Sequence, residues 1–134
     1  MSMKIFEIAG SAMSAQSARL NTVASNLANA DSVSGTAEGT YKARLPVFKT
    51  LQQAGETDTA GVQVLGIVES QKAPEKRYEP GHPLADSEGY VYAPNVNVVE
   101  EMVNMISASR SYQSSVDVMN TAKELEMRTL TLGR

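Results

Sequence analysis

The segment FEIAGSAMSAQSARLNTVASNLANA, residues 6–30, decides the fold of the N-terminal part of the chain. Its apolar side chains recur at alternating steps of three and four residues, the heptad pattern of helices that pack side by side. The pattern therefore predicts a long helix over residues 1–30 whose apolar seam contacts other helices. The seam consists of Phe6, Ala9, Met13, Gln16, Leu20, Val23, Leu27 and Ala30, and only Gln16 in it is polar.

The small number of charges in this segment also indicates that neighbouring helices cover it. Only Lys4, Glu7 and Arg19 are charged, whereas a helix that faces solvent normally carries more charged side chains. Most other positions are Ala or Ser, which are small enough to let neighbouring helices approach closely. We therefore expect the helix to be covered on most sides.

A second helix is predicted over residues 98–134. Asn97 is a good N-cap, and Glu100 stands three residues later, as in a capping box. Glu100 and Glu101 also suit the positive end of the helix dipole. We expect the apolar face of this helix to meet the N-terminal seam of the same or an adjacent subunit. The predicted seam residues on this side are Val99, Met102, Ile106, Tyr112, Val116 and Met119.

The middle of the chain, residues 31–97, holds all five prolines and seven of the nine glycines. Strand-like runs occur at 41–48, 62–68 and 89–92, and Pro46 makes the first an edge or broken strand. Val62, Val64 and Val68 are expected to share one face, and residues 31–40 and 52–61 are expected to be loops. The predicted fold is mainly α, with two long terminal helices in a coiled-coil-like pair that flank a small, loop-rich β region.

Helix length implies partners. Helices of about 28 to 33 residues are roughly 42–50 Å long. A compact globule of this size has a diameter of only about 36 Å. The helices must therefore pair with each other, with other subunits, or with both, because most helix stability comes from packing an apolar face.

Composition excludes several kinds of function. The net charge is −3 without a basic block, so nucleic-acid binding is not expected. The chain has no Cys and a single His, His82, so neither a catalytic site nor a metal site of the usual N/S type is expected, and no cofactor is implied. No apolar run is long enough to span a bilayer, and the start, MSMKIFE, does not look like a cleavable signal peptide.

Two stretches resemble a known family. Residues 11–30, SAMSAQSARLNTVASNLANA, closely resemble the N-terminal signature of the axial proteins of the bacterial flagellum, which include rod, hook and hook-associated proteins. Residues 89–102, GYVYAPNVNVVEEM, together with SRSYQ at 109–113, are similar to the proximal rod members of C type. One departure is visible, since Tyr41 follows a ten-residue loop where many relatives have a short turn.

The resemblance implies a structural role. It implies export by the flagellar type III apparatus without a cleavable signal, and assembly in the periplasm into the rod that transmits torque to the hook. The implied partners are copies of the same chain, other rod proteins, and rotor-ring or rod-base proteins. Asn is a poor residue for a helix interior, so the polar residues beside the seam are interpreted as inter-subunit hydrogen-bonding residues. They are Arg19, Asn21, Asn26 and Asn29.

Two other classes of protein remain open from the residues alone. A coiled-coil adaptor or secretion chaperone has the same helices and predicts a stable helical dimer. A small hydrolase needs a base that only His82 or a carboxylate could supply. A rod subunit instead predicts terminal helices that become ordered on assembly, so that proteolysis of the isolated chain trims both ends first.

Overall fold

The computed structural model describes residues 2–52, residue 55 and residues 60–133. It confirms the predicted fold class: two long helices flank a middle region that contains two small antiparallel sheets. The elements, in chain order, are α1 (Ser2–Ala28), β1 (Arg44–Gln52), β2 (Ala60–Glu69), β3 (Glu75–Tyr78), β4 (Tyr90–Ala93) and α2 (Val98–Leu132).

The two helices pack against each other in an antiparallel pair. Arg19 in the third quarter of α1 bonds to Asn104 near the start of α2, while Gly10, closer to the start of α1, lies beside Met119. Within the described residues, α2 packs on no named element except α1. In the middle region, β1 and β2 pack on α1.

The start of α2 follows the predicted capping signal. The side chain of Asn97 accepts a hydrogen bond from the N–H group of Glu100 at 3.2 Å, which satisfies one of the free donors of the first turn. Gly133 follows the last helical residue, and its N–H group bonds to the carbonyl of Thr129.

Strands β1 and β2 form a two-stranded ribbon along α1. Within the described residues Pro46 lies in an edge strand, as predicted, because β1 pairs only with β2. The register shifts between Val47 and Phe48, which pair with Gly66 and Val64, so Leu65 is an extra residue in β2. This bulge places Val68 on the face opposite to Val62 and Val64, and the prediction of one shared face is wrong for Val68.

The prediction of a loop over 52–61 is also wrong at its ends. Gln52 belongs to β1, and Ala60 and Gly61 belong to β2, whereas Gly55 lies in a turn. The rest of that predicted loop, residues 53–54 and 56–59, lies outside the described residues. The strand predicted over 41–48 begins three residues later, at Arg44.

The second sheet is the hairpin of β3 and β4, and β3 was not predicted from the sequence. Its residues, EKRY, contain three charged or polar side chains without an apolar alternation. Tyr78 pairs with Tyr90 across the hairpin, with ring centroids 5.1 Å apart. Ser34 exchanges two backbone hydrogen bonds with Tyr92, at 2.8 and 2.9 Å, and so joins the segment after α1 to the strand before α2.

The turn that closes this hairpin is built around Asp86. Its carboxylate accepts the N–H groups of Glu88 and Tyr90, both at 2.9 Å. Gly89 has φ +86°, and a Cβ there would lie 3.0 Å from the Tyr78 ring, so this position requires glycine. The bond from the Tyr90 N–H is the main cause of a pKa of Asp86 below its ordinary value.

We expect the Asp86→Ala variant to accelerate hydrogen exchange of the Tyr90 amide at pH 7, measured by NMR. A group whose pKa is lowered in the folded state stabilises it above the unfolded pKa of about 3.9, and the contribution is lost as the pH falls through the folded value. The difference from the wild type should therefore shrink as the pH is lowered below about 3.9. Glu88→Ala removes a carboxylate from the same turn and serves as the control; equal acceleration in both variants would contradict the role of Asp86.

Candidate assembly site

The covered face of α1 is built mainly from small residues. The side chains of Ala9, Ala15 and Val23 are buried, with exposed fractions of 5%, 2% and 4%. The predicted seam residues Phe6, Met13, Gln16, Leu20 and Leu27 are half-buried. Small side chains allow close approach of backbones but bury little apolar area, so this interface contributes modestly to stability.

One atom of the seam is left without a partner. The side-chain carbonyl oxygen of Gln16 is buried and accepts no hydrogen bond from any described residue. Burying such an atom costs roughly 1–3 kcal/mol. This polar position therefore weakens the helix pair of the isolated chain.

The structure corrects the predicted seam on α2. The face covered by α1 follows a different heptad row, in which Glu101, Ala108 and Ala122 are buried and Met105, Tyr112, Ser115 and Met119 are half-buried. Of the predicted seam residues, Tyr112, Val116 and Met119 are half-buried. Val99, Met102 and Ile106 are instead exposed, at 69%, 51% and 57%, so they do not pack on α1 of the same chain, and of the two predicted alternatives the adjacent subunit is left.

These exposed residues form what we call the outer stripe: Val99, Met102, Val103 and Ile106. At 3.6 residues per turn the stripe lies on the side of α2 opposite to Glu101 and Ala108. Val103 is 60% exposed, and the stripe is thus an apolar surface at the start of a charged and polar helix. Contiguous exposed apolar side chains of this kind indicate an interaction surface. Contact of the stripe with an adjacent subunit stays a prediction.

Asn26 also differs from its prediction. Its side chain is 1% exposed and is fully engaged within the chain, so the prediction that it bonds to a neighbouring subunit is wrong. Its Nδ2 donates to the carbonyl of Arg44 at 2.9 Å and to Oε2 of Glu101 at 3.2 Å. Its Oδ1 accepts the N–H of Arg44 and the hydroxyl of Tyr41, both at 2.8 Å.

The remaining predicted polar residues behave differently from one another. Arg19 donates to Oδ1 of Asn104 at 3.2 Å, across the helix pair. Asn29 donates to the carbonyl of Ser25 at 2.9 Å, within its own segment. Asn21 is exposed, and its role at a subunit interface stays a prediction.

Sequence reasoning did not identify Glu101, Tyr41 and Arg44 as hydrogen-bonding partners of Asn26. Glu101 is 8% exposed, and the sequence suggested for it only a role at the helix dipole. A usable signal existed, because Glu101, Ala108 and Ala122 are separated by multiples of seven residues and so share one helical face. Tyr41 and Arg44 follow a loop, and no periodic pattern indicates their approach to α1.

Among the described residues, few side chains are arranged as catalysis or metal binding would require. His82 lies in the turn before Leu84, and its Nδ1 accepts the N–H of that residue at 3.0 Å. Among the described residues there is no group of three or more Asp, Glu or His side chains that could hold a metal ion. Neither α1 nor α2, over their described lengths, is long and apolar enough to cross a membrane.

Comparison with known proteins gives consistent results at both ends of the chain. Residues 6–35 match the family model "Flagella basal body rod protein", and residues 87–132 match "Flagellar basal body rod FlgEFG protein C-terminal". The flagellar basal-body rod protein FlgC of Salmonella typhimurium strain LT2 is 57% identical, with 98% of each chain covered.

Other relatives extend the similarity. FlgC of Escherichia coli O6:H1 is 55% identical over 98% of each chain. FlgC of Buchnera aphidicola from Acyrthosiphon pisum is 44% identical over 98% of this chain and 97% of the relative. Identity at this level over nearly the full length of both partners shows that the chain belongs to the FlgC family of flagellar basal-body rod proteins.

Proposed function

We propose that this chain is a structural subunit of the proximal rod of the bacterial flagellar basal body, and that it polymerises through its terminal helices. The observation that carries the proposal, together with the family, is the outer stripe, an apolar surface on α2 that α1 leaves uncovered. In a polymer this surface would be buried, as the covered faces of a helix bundle are.

The composition of the helix pair supports assembly as the source of its stability. Buried positions in α1 and α2 are largely Ala, Thr, Asn and Glu, whereas large apolar side chains such as Ile106, Leu125 and Leu130 are more than half exposed. A helix pair with this distribution buries little apolar area by itself. Packing against further helices would supply the missing burial and so stabilise the helix pair on assembly.

We further propose an export route and assembly partners for the chain. The chain is exported by the flagellar type III apparatus and assembles in the periplasm with copies of itself, other rod proteins and rod-base proteins. It transmits torque from the rotor to the hook as part of the shaft. Such a shaft requires contact between two different surfaces of neighbouring copies, because repeated head-to-tail contacts generate open helical polymers.

Deletion of the gene is expected to abolish swimming in soft agar and to remove rods from purified basal bodies. Plasmid-borne expression of the chain should restore both. Intact rods in the deletion strain would contradict the proposed function. A purified chain that forms a stable, protease-resistant helical dimer would instead favour a coiled-coil adaptor or secretion chaperone.

A further inference from the structure

The structure assigns to Asn26 the role of a positioning residue that fixes the β1–β2 ribbon on the helix pair. The inference concerns the isolated chain and does not depend on the proposed function. Its starting observation is that a single buried amide near the end of α1 bonds to groups of β1, of α2 and of the segment that precedes β1.

The side chain of Asn26 bonds to both backbone groups of Arg44. In an antiparallel pair, alternate residues direct both backbone groups towards the partner strand or away from it. Arg44 directs both away from β2, and Asn26 receives both, since Oδ1 accepts the N–H at 2.8 Å and Nδ2 donates to the carbonyl at 2.9 Å. The amide thus forms the two hydrogen bonds that a neighbouring strand would otherwise form with Arg44. The next residue of β1 that faces outward is Pro46, which has no N–H to offer.

The amide of Asn26 satisfies partners of both kinds, donors and acceptors. The two acceptors, the carbonyl of Arg44 and Oε2 of Glu101, need N–H donors, while the N–H of Arg44 and the Tyr41 hydroxyl need an acceptor. An amide supplies both kinds of group on one short side chain. Aspartate has the same shape but no donor, and it would place a second carboxylate beside Glu101 in a buried site.

Among the described residues, another polar contact with α1 lies at the far end of the ribbon. There, the N–H of Val62 donates to the hydroxyl of Ser11 at 3.1 Å. Ser11 and Asn26 are separated by about 22 Å along α1. A two-stranded ribbon is marginally stable by itself, so loss of the anchor at Asn26 is expected to release the whole ribbon while the two helices stay paired.

A disulfide bond can report the docking, because the chain contains no cysteine. A Cβ at Gly61 would lie 3.7 Å from Cβ of Ser11, within the range for a disulfide. In the purified S11C/G61C chain we expect rapid intramolecular oxidation. Adding Asn26→Asp should slow it about tenfold, which corresponds to a loss of about 1.4 kcal/mol. Far-UV circular dichroism should show unchanged helix content.

Two further variants make the experiment decisive. Asn29→Asp adds the same charge at the end of α1, where the side chain bonds only to the Ser25 carbonyl among the described groups, and it should oxidise like the parent. Glu101→Gln, combined with Asn26→Asp, restores a donor–acceptor pair and should recover part of the rate. Equal rates for Asn26→Asp and Asn29→Asp, no recovery with Glu101→Gln, loss of helix content, or no oxidation of the parent pair would each overturn the assignment.

Discussion

Replacement of Ile106 with glutamate is expected to abolish rod assembly while the fold of the isolated chain stays unchanged. Ile106 is 57% exposed and lies in the outer stripe, on the side of α2 that faces away from α1. A carboxylate there remains in water in the free chain and costs almost nothing. In an assembled rod it would be buried without a partner, at a cost of several kcal/mol. An interface affinity lower by about 100-fold or more follows.

The measurement has three parts. Cells that carry Ile106→Glu should not swim in soft agar, their basal bodies should lack complete rods, and the purified variant should have the helix content of the wild type. Immunoblotting of the exported fraction must show normal levels, so that an export defect is excluded. Ser107→Glu places the same charge at an exposed position one residue later, about 100° around the helix from Ile106, and should swim. Motile cells with Ile106→Glu would show that the stripe is not an assembly surface.

The outer stripe also shows what periodicity can and cannot establish. The spacing of apolar residues correctly predicted a long helix, because the 3.6-residue period is a property of the helix itself. It did not identify which face of α2 meets α1. The apolar row of Val99, Met102 and Ile106 is exposed, and a row of small and polar residues, including Glu101 and Ala108, is covered instead. In a subunit that forms several interfaces, the most apolar face need not be the intramolecular one.

Asn26 shows that a sequence pattern does not identify the partners of a buried polar residue. Its presence in an apolar helix, where Asn is unfavourable, was interpreted as a sign of hydrogen bonds to a neighbouring subunit, whereas its described bonds all lie within the chain. The partners could not be predicted, because Arg44 is 18 residues away and Glu101 is 75 residues away in the sequence. The bulge at Leu65 in β2 could likewise not be predicted, because a bulge depends on the pairing of two strands and not on the composition of one strand.

Replacement of Ala108 with leucine is expected to separate stability from assembly on the same helix. Ala108 is 0% exposed on the face of α2 that packs on α1, so a larger side chain there must displace its neighbours. Overpacking of a closely packed site costs about 1–3 kcal/mol. For a chain of this length that cost lowers the midpoint of thermal unfolding by about 3–15 °C, which circular dichroism can measure.

Ser109→Leu is the matched control, because it adds the same side chain one residue later at an exposed position. Its unfolding midpoint should equal or exceed that of the wild type, since leucine favours a helix more than serine does. Equal midpoints for the two leucine variants would show that the covered face of α2 tolerates volume and that the helix pair is loosely packed. If instead only Ala108→Leu lowers the midpoint and only Ile106→Glu prevents assembly, two residues half a turn apart on α2 serve two different interfaces.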